Sequence, residues 1–333
     1  MTGSAALFTD RYELTMVDAA LRDGTAHRES LFETFARRLP DGRRYGIVAG
    51  TGRLLELIGR FRFEDPPELE WLRANGVVRA ETLDWLADYR FTGDVWGYRE
   101  GEAYFPGSPL LTIQASFAEA VMLETLVLST LNFDTSVASA AARMVSVALG
   151  RPIAEMGSRR TNERSAIAAA RAAYISGFDA TSDLEAGRTW GIPTMGTAAH
   201  AFTLLHDSEE AAFRAQVDAF GPKTTLLVDT YDITKGGVET AVRVAGPRAR
   251  RRADRLGRLA TVVAAVREQL DALGAVNTKI TVTSDLDEFT IAALSGSPVD
   301  SYGVGTSVVT ARDIRPPASS TSSSHAATMP ANG

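Results

Sequence analysis

A chain of 333 residues with 45% hydrophobic side chains is long and apolar enough to bury one large core or two ordinary ones, which excludes a disordered protein. Its formal net charge of −6 gives no overall attraction to nucleic acid or to an anionic membrane, and the absence of cysteine excludes disulfides, zinc–thiolate sites and a thiol nucleophile. The opening MTGSAALFTDRYEL has neither a basic start nor a continuous apolar stretch, and no window approaches the roughly 18 apolar residues of a membrane helix; a cytoplasmic protein is expected.

Residues 1–115 mix short helical and strand-like pieces, with turns at Pro40–Gly42, Pro66–Pro67 and Phe105–Pro109, and read as an α+β amino-terminal domain. From Ser116 to Gly150 an alanine-rich apolar stretch suits two buried helices joined near Asn132–Thr135. After Arg151 the pattern alternates. Strands are predicted at Pro152–Glu155, Gly191–Met195, Thr224–Asp229, Lys279–Thr283 and Val299–Val304, with helices between them, which argues for parallel strands joined by right-handed crossovers. Leu259, Val262, Val263, Val266, Leu270 and Leu273 mark one helix face, and Gly274 is its stop signal. Barrel and open sheet both satisfy this alternation. In either one, chemistry collects at the carboxyl ends of the strands, where loop amides and helix amino termini converge.

The segments at those ends are EMGSRR, MGTAAH, VDTYD, TSDLDE and GVGTS, all polar or glycine-rich. In GVGTS the backbone N–H groups around Gly303 and Gly305 can approach a phosphate and Thr306 adds a hydroxyl; the plain alternative is a tight turn. His200 follows a loop of small residues, where an imidazole acts as base or phosphoryl acceptor unless it is merely structural. Asp229 and Asp232 suit magnesium or a ribose hydroxyl, or else cap a helix. Arg159 and Arg160 offer guanidinium forks for a carboxylate or pyrophosphate, against exposed ion pairs. In TDRYELTM, Thr9–Met16, the Tyr12 ring sits among charged residues at a helix start and either stacks on a planar ligand or packs on its own domain.

Taken in order, TDRYELTM, FPGSPLL, LETLVLSTLNFDT, EMGSRRT, SGFDATSD with GIPTMGTAAHAF, LLVDTYD, VTSDLDE and YGVGTSVVT resemble the nicotinate phosphoribosyltransferase family over residues 7–310. The resemblance implies an irregular α/β (TIM-like) barrel over 116–310 behind the amino-terminal α+β domain, and a homodimer with its active site at the interface. It implies condensation of nicotinate with phosphoribosyl pyrophosphate to nicotinate mononucleotide and pyrophosphate, in NAD biosynthesis, with Mg2+ and coupled to ATP hydrolysis through a phosphorylated histidine. His200 matches that histidine, and Asp229 an acid of the ribose and phosphate region. Tyr12 matches the aromatic residue that stacks on the nicotinate ring, often from the partner subunit. Thr197 and Arg159 match further nicotinate contacts. Gly303, Gly305 and Thr306 fall in the loop that holds the 5-phosphate.

Two stretches depart from the family. Where relatives carry a strand ending in a motif of the type RxDSGD, this chain reads GPRARRRADRLGRLATVV, and no apolar strand can be drawn through Arg248–Arg258. After Thr310 a Ser-, Pro- and Ala-rich tail over 311–333 reads as disordered. Both fit reading-frame shifts in a high-GC gene; the alternative for the arginines is a basic surface loop. The rival function is a catalytically impaired homologue, or pseudogene product, serving at most as a ligand-binding or dimer partner. Among enzymes, a nicotinamide- or quinolinate-using relative comes next.

Overall fold

The computed structural model describes residues 5–63, 66–246, 250–253, 259–310 and 322–327, the last strand and residues 66 and 250–253 by backbone alone. Two compact units divide the chain: Met1–Ser139 with Asp313–Gly333, and Ala140–Arg312. The division falls inside a helix, well beyond the boundary read at residue 115.

In the first unit the strands are β1 (Glu29–Ala36), β2 (Gly46–Ile47), β3 (Asp94–Gly97), β4 (Ala103–Tyr104) and β5 (Pro109–Ser116). β1 alternates buried and less buried residues, as a strand packed on one face must. Its core joins Leu14 and Val17 of helix Arg11–Asp23 to Leu54, Phe61, Phe63, Leu86 and Leu126. Phe61 meets Phe63 and Tyr89 edge to face at 5.9 and 5.7 Å between ring centres.

The long stretch after Ser116 is not a pair of helices joined near Asn132. A short helix, Phe117–Val121, is followed by one unbroken helix, Glu124–Val147. The polar residues that looked like a break serve tertiary contacts. Asp134 accepts from the Arg53 guanidinium at 2.8 and 3.0 Å, and the Thr135 hydroxyl donates to Ala49 O at 3.1 Å. Pro66–Pro67 likewise opens the helix Pro66–Ala74 rather than a turn, proline being tolerated in a first helical turn.

The second unit carries β6 (Ile153–Glu155), β7 (Ala180–Thr181), β8 (Thr225–Leu227), β9 (Arg250–Ala253), β10 (Lys279–Val282) and β11 (Ser301–Val304) in the order β7-β6-β11-β10-β9-β8, every pair parallel. The last of these strands, β11, pairs with the first, β6, so the strands follow the cyclic order of a barrel instead of reversing at a switch point, with β7 and β8 at the two ends of the sheet. Together with the amino-terminal α+β unit this is the irregular α/β barrel expected. Gly191–Met195 is not a full strand: Thr194 makes one parallel bridge to Thr181, because Pro193 has no N–H to give and Gly196 follows. Residues 250–253, where no strand could be drawn, do form one. The backbone donors and acceptors of β8 and β10 are met by β9 whatever its side chains.

The segment 311–333, read as disordered, includes β12 (Ser322–Ala327), which pairs antiparallel with β1 from Leu31↔Ala327 to Ala36↔Ser322. An unpaired sheet edge attracts any extended chain within reach. The rest of that segment, and residues 247–249 and 254–258, lie outside the described residues.

Candidate active site

In the second unit the loops after the strands gather the residues read from the sequence at the carboxyl end of one parallel sheet. After β6, Met156 N–H donates to Val304 O at 2.7 Å, and Ser158–Arg160 turn away as a short 3-10 helix that leaves Arg159 and Arg160 exposed. Neither arginine makes an ion pair among the described residues. After the Thr194 bridge, Thr197 is half-buried with its hydroxyl 3.2 Å from Ala198 O, and His200 begins the helix His200–Leu205. His200 is exposed, and its Nδ1 lies 3.3 Å from the Thr230 hydroxyl.

After β8, Asp229 and Asp232 part company. Asp232 caps the turn that follows, accepting from Thr234 N–H at 3.1 Å and Lys235 N–H at 3.0 Å, and these bonds hold its carboxyl below the usual range. Asp229 is half-buried and faces Glu209, at the start of helix Glu209–Phe220. Burial first, and then the Asp229 carboxylate, push Glu209 up to about 7.

The GVGTS loop is fixed by close approach. A side chain at Gly303 would meet Thr283 Cγ2 at 2.6 Å and Met156 Sδ at 2.7 Å; one at Gly305 would meet Met156 O at 3.2 Å. Thr306 opens the turn of helix Thr306–Val309, and the Ser307 hydroxyl donates to Leu286 O. The loops after β6, β10 and β11 are therefore interlocked. A cavity of about 410 Å³ in this unit opens toward the other end of the strands, beside Ile153, Thr225, Lys279 and Ser301, with Met195 also in its lining.

Tyr12 belongs to the first unit. It stands in the first turn of helix Arg11–Asp23, 45% exposed, as the helix-start reading expected. Burial first, and then Glu124 and Glu13, push its phenol up to about 12.

Sequence reasoning missed several groups. Glu155, the last residue of β6, is buried and takes the Gly157 N–H and the Thr181 hydroxyl, the latter at 2.5 Å; its burial raises its carboxyl. An acid closing an apolar strand was the available signal. Glu209 gave none, since a glutamate in a first helical turn is ordinary. Ser284 and Asp285, in TSDLDE, hold φ of 107° and 44°, a left-handed strain that is stored at functional sites more often than elsewhere.

A parallel, barrel-type sheet with a histidine, an acid pair and a glycine loop after its strands fits an enzyme of the α/β barrel class. The chain belongs to the nicotinate phosphoribosyltransferase family. It is 60% identical over 314 residues to the nicotinate phosphoribosyltransferase pncB1 of Mycobacterium tuberculosis, a match that takes in 92% of this chain and 69% of that one. It is 36% identical over 318 residues to the Bacillus subtilis nicotinate phosphoribosyltransferase, covering 93% of this chain and 64% of that one. The nicotinate phosphoribosyltransferase N-terminal domain matches residues 7–132. The solved human nicotinic acid phosphoribosyltransferase is similar at a TM-score of 0.77 and 25% identity, over 89% of this chain and 72% of that one. The nicotinate-nucleotide pyrophosphorylase of Pyrococcus furiosus shares the fold at a TM-score of 0.79 and 23% identity, over 97% and 74%. Among the described residues no helix is long and apolar enough to cross a membrane.

Proposed function

We propose that this chain transfers the phosphoribosyl group of phosphoribosyl pyrophosphate to the ring nitrogen of nicotinate, releasing pyrophosphate, as a homodimer in NAD salvage. The observation that carries this reading is that the His200–Thr230 pair and the Gly303–Thr306 loop both follow strands of one parallel sheet, at the strands' carboxyl ends.

The C–O bond to pyrophosphate breaks as the C–N bond to the pyridine forms, and positive charge builds on the ribose in between. Asp229 is suited to hold the ribose hydroxyls and to offset that charge. Gly303, Gly305 and the Thr306 hydroxyl receive the 5-phosphate by backbone approach. Arg159, exposed and without an ion pair among the described residues, meets the nicotinate carboxylate, and Thr197 bounds the pyridine; the family resemblance assigns the Tyr12 ring, supplied from the partner subunit of the dimer, to stack on it. The γ-phosphoryl group of ATP passes to an imidazole nitrogen of His200 with release of ADP, and its later hydrolysis frees phosphate. A phosphoryl group there adds about −1.5 to −2 charges beside the pyrophosphate site, by analogy with phosphorylated hydroxyl residues, enough to rearrange the loops around it. Among the described residues no group of three or more His, Asp or Glu is placed to hold a metal ion.

The test is pyrophosphate release with nicotinate, phosphoribosyl pyrophosphate, magnesium and ATP, alongside His200→Ala. Release that requires nicotinate and falls in His200→Ala supports the reading. A folded chain that releases none is the impaired homologue, the reading favoured by the run Arg250–Arg252 in a central strand.

A further inference from the structure

Tyr12 and Glu13 are neighbours in one helical turn and lie in opposite surroundings: Tyr12 is 45% exposed and Glu13 is 0% exposed. A carboxyl withdrawn from water costs several kcal/mol unless hydrogen bonds replace the water. One oxygen of Glu13 is doubly satisfied, its Oε1 accepting from the Thr125 N–H at 2.8 Å and from the Thr125 hydroxyl at 2.6 Å. Thr125 stands in the first turn of Glu124–Val147, so Glu13 caps that 24-residue helix from outside, taking an N–H that the helix cannot satisfy itself. The same hydroxyl lies 3.3 Å from Asp10 Oδ2, just ahead of the Tyr12 helix, and the Tyr12 phenol hydrogen-bonds Glu124. Two helix starts are thus clasped through Asp10, Tyr12, Glu13, Glu124 and Thr125.

The other oxygen, Glu13 Oε2, is buried with no hydrogen-bond partner among the described residues. The groups that face Glu13 are acids and phenols: Asp10 before its helix, Tyr12 beside it, Glu124 on the long helix, and Tyr89. Tyr89 is spent on Glu119 O, and the Glu119 carboxylate of the neighbouring helix Phe117–Val121 is taken by Ser116 and Thr92. Helix Ala80–Ala87 approaches with Asp18 already paired to Arg79 at 3.0 Å, and Arg11 points to solvent. Among the described residues no cation offsets a charge on Glu13.

We propose that Glu13 is a positioning residue, which through Thr125 fixes the first turn of the Tyr12 helix on Glu124–Val147 and so sets the orientation of the exposed Tyr12 ring. Its consequence for nicotinate rests on the ring contact proposed above; the clasp itself does not. Burial first raises the Glu13 carboxyl, the Thr125 bonds pull it back, and Glu124 and Asp10 raise it again, to about 7. A folded-state value above the unfolded one means that stabilisation is complete below the ordinary carboxyl range and is lost as pH rises through about 7. Above that pH the charged Glu13 confronts Asp10 and Glu124, and the clasp loosens.

The experiment follows the Tyr12 ring by nuclear magnetic resonance in protein carrying 13C at tyrosine Cζ, the signal identified with Tyr12→Phe. We expect the Tyr12 resonance to move with a midpoint near pH 7, and to stay fixed between pH 6 and 8 in Glu13→Gln. Thr125→Val keeps the N–H and removes the hydroxyl that lowers the carboxyl, so its midpoint should lie higher than in the unaltered chain. A Tyr12 signal indifferent to pH, one that still titrates in Glu13→Gln, or an unmoved midpoint in Thr125→Val overturns the proposal. Nicotinate affinity separates the two readings: unaltered binding by Tyr12→Ala removes the ring contact, whereas a clasp failure shows in the resonance alone.

Discussion

His200 Nδ1 lies 3.3 Å from the Thr230 hydroxyl, and this contact joins the loop after the Thr194 bridge to the loop after β8. An exposed imidazole is otherwise free to rotate, and a phosphoryl acceptor must present one nitrogen in a fixed direction. Thr230→Val keeps the volume and removes the hydrogen bond. We expect phosphate incorporation from γ-labelled ATP to fall about tenfold, equivalent to ~1.4 kcal/mol, with Thr230→Ser near the unaltered level. Equal labelling of all three would show that the contact does not orient the ring.

Gly303 separates a structural need for glycine from a chemical one. Its missing side chain would lie 2.6 Å from Thr283 Cγ2 and 2.7 Å from Met156 Sδ, inside a buried strand. Gly303→Ala should therefore cost about 2–3 kcal/mol of stability by overpacking. At Gly305 the neighbour is the Met156 carbonyl at 3.2 Å, a milder conflict in a loop. Gly305→Ala should keep most of its stability and instead raise KM for phosphoribosyl pyrophosphate. Thermal melting of both variants, with KM for Gly305→Ala, checks the division; a stable Gly303→Ala would refute it.

Glu209 makes the second unit sensitive to pH. Its carboxyl is raised to about 7 by burial and by Asp229, so the folded state keeps a proton that the unfolded chain has lost. Stability is therefore complete below the ordinary carboxyl range and declines as pH rises through about 7. Glu209→Gln removes that decline. Allowing for screening at a half-buried group, we expect a gain of ~1 kcal/mol, or about 2–4 °C in Tm, at pH 8 and none at pH 4. Equal gains at both values would place the effect outside titration.

Much of the candidate site's setting was legible because strand ends announce themselves: an apolar run that stops in small or acidic residues put Arg159, Asp229 and Gly303–Thr306 at or just beyond the ends of β6, β8 and β11. Pairing was less legible. The Asn132–Thr135 break was misread because polarity in a helix looks the same whether it caps an end or, as Asp134 does, holds a distant arginine. Glu209 and Tyr12 needed the fold, since their partners Asp229 and Glu124 lie far away in sequence. Leu273 was counted in the apolar face of its helix, but it lies beyond Ala272, where the helix ends, and is 40% exposed.

The same limit shows at β9, where pattern and backbone disagree. Arg250–Ala253 pairs with β8 on one side and β10 on the other, and Leu226, Leu227, Ile280 and Val282 of those neighbours are all buried. A central strand of a parallel barrel is covered on both faces and normally reads as Val, Ile and Leu. A guanidinium withdrawn from water carries a desolvation cost that an apolar side chain does not. Replacing Arg250, Arg251 and Arg252 together by valine should raise Tm by about 5 °C or more. If the replacement lowers Tm, the arginines are solvated and the barrel tolerates them as written. A rise would mark the run as foreign to this strand, and reading the gene across codons 245–260 would then show whether a frame shift put it there.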